Sequence, residues 1–184
     1  DEITRQEKLA EQMGGEDSVA FHHSRGKLTI RERVDLLQDA DSFEEIGTLT
    51  GKPDWQGDQL NSLKPSNTII GTCRINGRKV AFSGGDFTIR GGSADANVGD
   101  KSRFIERLSL DAKVPYIRLL DATGGSVKTF EQIGRTYIPT NPTTPGIEDL
   151  LCEVPVVSAA LGSVAGLPAV DACLSHFNLM VKGT

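Results

Sequence analysis

The sequence predicts a mixed α/β domain in which strand, glycine turn and helix recur as one unit. Three observations carry this. β-rich apolar runs alternate with amphipathic helical runs through the second half of the chain. A strand that opens with Val-Pro and runs into a glycine turn is used twice, with Val114 and Val154 40 residues apart. Asn76-Gly77 separates two β-rich runs, the pattern of a two-residue hairpin turn in which both residues take positive φ.

The opening stretch, Asp1 to Met13, is charged with sparse apolar positions and reads as a solvated helix stopped by Gly14-Gly15. Thr29-Ile30-Arg31-Glu32 is a capping box: hydroxyl and carboxylate each satisfy a backbone N–H at the start of a helix. Ile30, Val34 and Leu37 then share one face. Residues 51–67 are polar, contain Gly and Pro, and are expected to form a loop. Thr68 to Ile75 and Arg78 to Phe82 are the hairpin strands, and Asp86 to Ile89 is expected to be a further short strand between Ser83-Gly84-Gly85 and Arg90-Gly91-Gly92-Ser93. Asn97 to Lys113 reads as a helix whose apolar face is Phe104, Ile105, Leu108 and Ala112.

The repeated unit follows. Val114 to Leu120 is a strand, Asp121 to Gly125 a glycine turn, Ser126 to Tyr137 a helix, and Pro139 to Pro145 a loop. Val154 to Leu161 is the second strand, Gly162 to Gly166 its turn, and a helix runs on to Leu174. Phe177 to Val181 closes as a strand and is expected to leave apolar surface exposed.

Composition narrows the function. The chain has 184 residues, room for one domain; 38% are hydrophobic and 24% charged, an ordinary globular balance. A net charge of -5 with no basic stripe argues against a nucleic-acid partner. No apolar run reaches the roughly 18 residues of a membrane span. The first residues, Asp1-Glu2-Ile3-Thr4-Arg5, do not read as a signal peptide. Cys73, Cys152 and Cys173 are scattered and odd in number, without zinc-ligand spacing; they are expected to be reduced, in an intracellular protein with no metal site.

Side-chain catalysis finds little support. Gly162-Ser163-Val164-Ala165-Gly166 is not the nucleophile elbow of a serine hydrolase, and neither a Walker A loop nor Gly-x-Gly-x-x-Gly occurs. Backbone chemistry fits better. Two strands each end in a glycine turn that opens a helix, at Gly124-Gly125 and at Gly166. Helix starts carry unused N–H groups and partial positive charge, and glycine lets a carbonyl come close to them. Two such turns on neighbouring strands can converge as an oxyanion hole, suited to chemistry through an enolate.

Five ordered motifs then align with a known family. They are His23-Ser24-Arg25-Gly26-Lys27-Leu28-Thr29-Ile30-Arg31-Glu32-Arg33; Asp41-Ser42-Phe43-Glu44-Glu45-Ile46-Gly47; Asp86-Phe87-Thr88-Ile89-Arg90-Gly91-Gly92-Ser93 with Lys101 downstream; Leu120-Asp121-Ala122-Thr123-Gly124-Gly125; and Gly162-Ser163-Val164-Ala165-Gly166. From about His23 onward the chain resembles the carboxyltransferase β subunit of biotin-dependent acyl-CoA carboxylases, the propionyl-CoA/acetyl-CoA carboxylase family. The resemblance implies a crotonase-like fold, a spiral of ββα units. Residues 1–28 would be an N-terminal helical extension and 29–184 a carboxyltransferase N-domain, incomplete at its C-terminal end and inactive alone.

The resemblance also implies chemistry. The substrate would be an acyl-CoA, carboxylated at its α-carbon with CO2 from carboxybiotin, which a biotin carrier protein delivers; no cofactor would be bound tightly by this chain. The backbone amides of Gly166 and Leu167 would hold the thioester oxygen, with Gly124, Gly125 and Ala165 lining the substrate site. Partners would be the biotin carboxylase/biotin carrier subunit and further copies of the chain, as a dimer building to a hexamer. The compartment would be cytoplasm, or the mitochondrial matrix in a eukaryote. Two departures stand out: Ala165-Gly166-Leu167-Pro168 where the family reads A-G-G-A, and Asp121-Ala122-Thr123-Gly124-Gly125-Ser126 where it reads D-S-G-G-A-R. They leave two alternatives: a catalytically diverged scaffold subunit of a carboxylase complex, and another crotonase-type acyl-CoA hydratase or decarboxylase, for which Asp171 is the nearest carboxylate.

Overall fold

The computed structural model describes residues 2–98, 100–135 and 147–184. Two helices, α1 (Glu2–Glu11) and α2 (Glu16–Ser24), precede the capped helix α3 (Ile30–Leu37). Strand β1 (Glu44–Ile46) leads to a separate two-stranded ribbon, β2 (Gly51–Gln56) and β3 (Gln59–Pro65). The hairpin β4 (Thr68–Ile75) and β5 (Arg78–Gly85) follows, then α4 (Lys101–Ala112), β6 (Tyr116–Ala122), α5 (Val127–Ile133), α6 (Ile147–Glu153), β7 (Val156–Val164), α7 (Leu167–Cys173) and β8 (Phe177–Met180). The main sheet has the order β1-β4-β5-β6-β7-β8. β1, β4 and β5 pair antiparallel, whereas β5 to β8 pair parallel, as helical crossovers require.

Local chemistry explains most boundaries. Thr29 and Glu32 form the reciprocal capping box, with Thr29 N–H donating to Glu32 at 2.7 Å. His23, Thr29 and the Thr29 amide together hold the Glu32 carboxyl down at about 2, the bond from His23 contributing most. Asn76 and Gly77 both have positive φ, and their N–H groups donate to the Asp39 carboxylate at 2.9 and 2.7 Å. The sheet separates two apolar clusters by side-chain alternation. Ile69 and Phe82 pack with Ile30 and Val34 of α3 on one face. Ile70, Ala81 and Tyr116 pack with Ile105 and Leu150 on the other.

The structure corrects three expectations. Residues 51–67 are largely a β-ribbon rather than a loop; its strands pair with each other, bury Leu60, and take a hydrogen bond from Arg5 to the Leu60 carbonyl at 2.6 Å. Asp86 to Ile89 is a turn rather than a strand, because the buried Asp86 carboxylate accepts from Thr88 N–H and Thr88 hydroxyl at 2.9 and 2.6 Å. The helix expected from Asn97 begins at Lys101. The loop expected over Pro139 to Pro145 lies outside the described residues.

The 40-residue recurrence is visible in the strand register. Tyr116 to Leu120 pair with Val156 to Ala160 at that constant offset; beyond them Ala122 pairs with Val164, two residues further on. This bulge surrounds Asp121, which is fully buried. Its carboxylate meets Arg33 at 3.0 Å and Lys27 at 4.0 Å. A Cβ on Gly162 would sit 2.1 Å from the same carboxylate, so the bulged strand passes Asp121 only as glycine. At the far edge of the sheet, β8 leaves Phe177, Leu179 and Met180 exposed, as is Val181 just after it.

Arg33→Met should leave a buried carboxylate without its closest cation. The expected loss is about 3–5 kcal/mol of folding stability, read from urea denaturation. A variant within 1 kcal/mol of the parent, on the scale of an exposed ion pair, would show that this buried pair contributes little.

Candidate functional site

The parallel strands β6 and β7 end side by side, and each end opens a short helix. Ser126 caps α5 by accepting from the Thr129 N–H, and Gly166 caps α7. Gly166 has φ 67 and ψ -137, backbone that side chains rarely adopt. Pro168 has no N–H, and the amides of Ala169 and Val170 turn back to the Gly166 carbonyl at 3.0 and 3.4 Å. The helix therefore leaves the amides of Gly166 and Leu167 unused.

The two turns touch. A Cβ built on Gly124 would lie 2.6 Å from the Ala165 carbonyl oxygen and 3.4 Å from Gly166 Cα. With φ at +80, Gly124 is glycine for space and for backbone conformation alike. The Gly124 carbonyl accepts from Ala94 N–H at 2.8 Å, which fixes the turn against the segment after β5.

The turns stand on a cleft of about 1020 Å³ whose lining includes Gly124, Gly125, Gly166 and Leu167. Four of the five site residues expected from sequence are thus brought together. Ala165 is the exception: it is exposed, lies outside the lining, and its N–H is spent on the Ala122 carbonyl at 3.1 Å. Leu167 is 41% exposed and lines the cleft.

Further along the cleft wall stand charged residues that sequence reasoning passed over. Arg118 on β6 is buried; its Nε donates to Ser158 Oγ at 3.1 Å and its Nη2 to the carbonyls of Asp171 and Leu174. The guanidinium thereby caps the C-terminal end of α7, where carbonyls lack partners. Asp171 faces it, with Oδ1 3.7 Å from Nη1. Glu106 on α4 lines the same wall; burial pushes its carboxyl up to about 7, against the pull of Arg118. Burial likewise raises Asp171. The signal for Arg118 was present in Tyr116-Ile117-Arg118-Leu119-Leu120, a cation inside an apolar strand. Glu106 gave none, because a polar residue beside an apolar helical face reads as solvated.

Among the described residues, no group of three or more His, Cys, Asp or Glu side chains converges in a way that could hold a metal. None of the described helices is long and apolar enough to cross a membrane. Cys73 is buried, Cys152 and Cys173 are exposed, and the three are unpaired.

The model of the carboxyl transferase domain matches residues 21–184. The chain belongs to the carboxyl transferase domain family. It is 29% identical, over its whole length, to a propionyl-CoA carboxylase carboxyltransferase subunit of Haloferax mediterranei, of which it covers 35%. It is 30% identical to the mitochondrial propionyl-CoA carboxylase beta chain of Homo sapiens over 93% of this chain and 32% of that one. A crystal structure of transcarboxylase 12S, with hydrolysed methylmalonyl-coenzyme A bound, superimposes with a TM-score of 0.73 at 25% identity, covering 97% of this chain and 34% of that one. The chain spans about a third of the length of the curated relatives it matches. The crotonase-like α/β architecture is that of this carboxyl transferase family.

The wall carboxyls give this carboxyl transferase domain a pH signature. Glu106 faces Arg118, Asp171 and Arg103, and its raised value makes the neutral form the one that folding favours. Its contribution is complete below about 4.5 and is lost as pH rises through about 7. Glu106→Gln should remove that slope, retaining up to about 3 kcal/mol more stability than the parent at pH 8 relative to pH 4.5. Denaturant unfolding at the two pH values measures it; parallel curves for parent and variant would place the titration elsewhere.

Proposed function

We propose that this chain provides the acyl-CoA half of a biotin-dependent carboxyltransferase, in which CO2 from carboxybiotin is added to the α-carbon of an acyl-CoA of the propionyl or acetyl class. The observation that carries this reading is the apposition of the two glycine turns, with the unused amides of Gly166 and Leu167 on the cleft they share.

The thioester oxygen would accept from those two amides. As the α-proton leaves, charge develops on that oxygen, and fixed N–H donors stabilise it more than they stabilise the neutral carbonyl. Each such donor contributes roughly 3 kcal/mol to a developing oxyanion. Gly124 would let the first turn pack directly on the Ala165 carbonyl, and Gly125 would let it pass the Phe130 ring, so that both turns border the thioester site. Carboxybiotin, delivered by a biotin carrier protein, would supply CO2 and the base. One relative is a biotin-dependent acetyl-/propionyl-coenzyme A carboxylase beta5 subunit, which supports a biotin carboxylase/biotin carrier partner; the transcarboxylase 12S relative assembles as a hexamer, which supports a homo-oligomer. We place the activity in the cytoplasm or mitochondrial matrix. Residues 1–28 would be a helical extension and 29–184 the carboxyltransferase N-domain. A hydratase or decarboxylase would instead need a carboxylate beside the turns. Asp171 lies five residues beyond Gly166, about 7.5 Å along the helix axis, and faces Arg118.

Propionyl-CoA should bind the protein in calorimetric titration, and Gly166→Val should weaken it at least tenfold. The substitution forces a branched side chain into positive φ at the point where the carbonyl must approach. Equal affinity in a variant whose fold is intact by circular dichroism would refute the assignment of these amides.

A further inference from the structure

The first glycine turn is held from two sides at once. On one side lies the end of β7: Ala165 N–H donates to the Ala122 carbonyl at 3.1 Å, and Gly124 packs on the Ala165 carbonyl. On the other side lies the segment Arg90 to Ala94. Ser93 pairs with Gly124 as an isolated parallel bridge, and Ala94 N–H donates to the Gly124 carbonyl at 2.8 Å. A Cβ on Gly92 would stand 2.7 Å from Ala122 Cα, so the two backbones are in direct contact. The segment is itself fixed. Buried Asn67 donates to the Ser93 carbonyl at 2.8 Å, and the Asp95 carboxylate takes the Ser93 hydroxyl at 2.5 Å and the Arg90 guanidinium at 2.7 Å. Arg90-Gly91-Gly92-Ser93 is thus a bracket along the open side of the turn.

One side chain of the turn grips that bracket. Thr123 donates twice to the Gly91 carbonyl, from its N–H at 3.0 Å and from its hydroxyl at 2.9 Å, which engages both lone pairs of that oxygen. Ala122 and Gly124 line the cleft on either side of it, whereas Thr123 is exposed and outside the lining. Its hydroxyl therefore contributes neither to the core nor to the cleft wall. In the family pattern one residue separates the Asp from Gly-Gly; here Ala122 and Thr123 both do.

We propose that Thr123 is a positioning residue for the thioester donors: its hydroxyl ties the first glycine turn to the Arg90–Ser93 bracket, and the turn so held sets the peptide that presents the Gly166 N–H. The assignment rests on the reading of Gly166 and Leu167 as donors to the thioester oxygen. Contact transmits the effect. A Cβ on Gly124 would stand 2.6 Å from the Ala165 carbonyl oxygen and 3.1 Å from its carbon. That carbonyl and the Gly166 N–H belong to one planar peptide, so a turn that shifts against the oxygen tilts the N–H with it. A misaimed donor loses most against the charged oxygen of the transition state and little against the neutral thioester. The consequence falls on turnover rather than on substrate binding.

Thr123→Val and Thr123→Ser in the full-length protein test it with two readouts. In carboxylation of propionyl-CoA, with carboxybiotin delivered by its carrier protein, Thr123→Val should lower kcat about tenfold and leave KM for propionyl-CoA within about twofold, the split of an interaction that matters in the transition state. Thr123→Ser keeps the hydroxyl and should keep the parental kcat. In ligand-free, isotope-labelled protein the Gly124 and Gly166 amide signals should move in Thr123→Val and stay in place in Thr123→Ser. Parental kcat and an unmoved Gly166 signal in Thr123→Val would overturn the role of Thr123 and leave the thioester reading standing. Equal losses in the two variants would assign the effect to packing rather than to the hydroxyl, and a raised KM at unchanged kcat would assign it to binding; either overturns the proposal. A parent that neither binds nor carboxylates propionyl-CoA would overturn the thioester reading, and the role of Thr123 with it.

Discussion

The buried carboxylate of Asp121 is the constraint on which the site depends. It sits near the end of β6, in the parallel part of the sheet, where the register of β6 and β7 slips by two residues. Arg33 reaches it from α3 and Lys27 from the segment before α3, so the helical N-terminal part of the chain is fastened to the strand that leads into Gly124-Gly125. Lys27 also lies over the Phe87 ring, 5.2 Å from its centroid, and Phe87 stacks on the buried His22. A charge in such surroundings persists only when it is paired, and breaking the pair costs more than the pair contributes in net stability. The sequence therefore has little freedom here: Gly162 must lack a side chain for the carboxylate to fit, and the bulge that results brings the end of β7 to the turn at the end of β6.

Each glycine turn is held from behind by a buried cation. Arg33 holds the strand before the first. Arg118 holds the far end of the helix that opens at the second, through the carbonyls of Asp171 and Leu174. Preorganised donors stabilise developing charge because they need not reorient when the charge forms. The two guanidinium groups supply that fixity from outside the thioester site. The arrangement also explains why so few side chains near the turns look catalytic. The donors are main-chain N–H groups, and the side chains do the positioning.

Much of this was legible in the amino-acid sequence. The capping box at Thr29, the Asn76-Gly77 turn and the repeated Val-Pro strand each follow from local rules, and they reappear as helix start, hairpin and register offset. The glycine turns were visible as glycines between a strand and a helix. What could not be read was tertiary. The ribbon over residues 51–65 is polar and exposed along β2, so its strands show no amphipathic alternation. Asp86 looks like a strand residue until its side chain is seen to close a turn on Thr88. Ala165 belongs to the second turn in sequence, yet its amide is consumed by Ala122 and it stays off the cleft. Glu106 and Arg118, 12 residues apart on different elements, come to one cleft wall only through folding, and burial there raises the Glu106 carboxyl.

The central claim is that the Asp121 network fixes the unused amides of Gly166 and Leu167 for a thioester oxygen. Backbone amide chemical shifts recorded while propionyl-CoA is titrated into isotope-labelled protein test it most directly, in the parent and in Arg33→Lys. The account predicts that the largest shifts in the parent fall on Gly166 and Leu167. In Arg33→Lys the same two signals should be perturbed before ligand is added and should respond less to it, although the substitution lies on α3. Shifts concentrated away from the two glycine turns, or an Arg33→Lys response confined to α3 with the Gly166 and Leu167 signals unchanged, would contradict it.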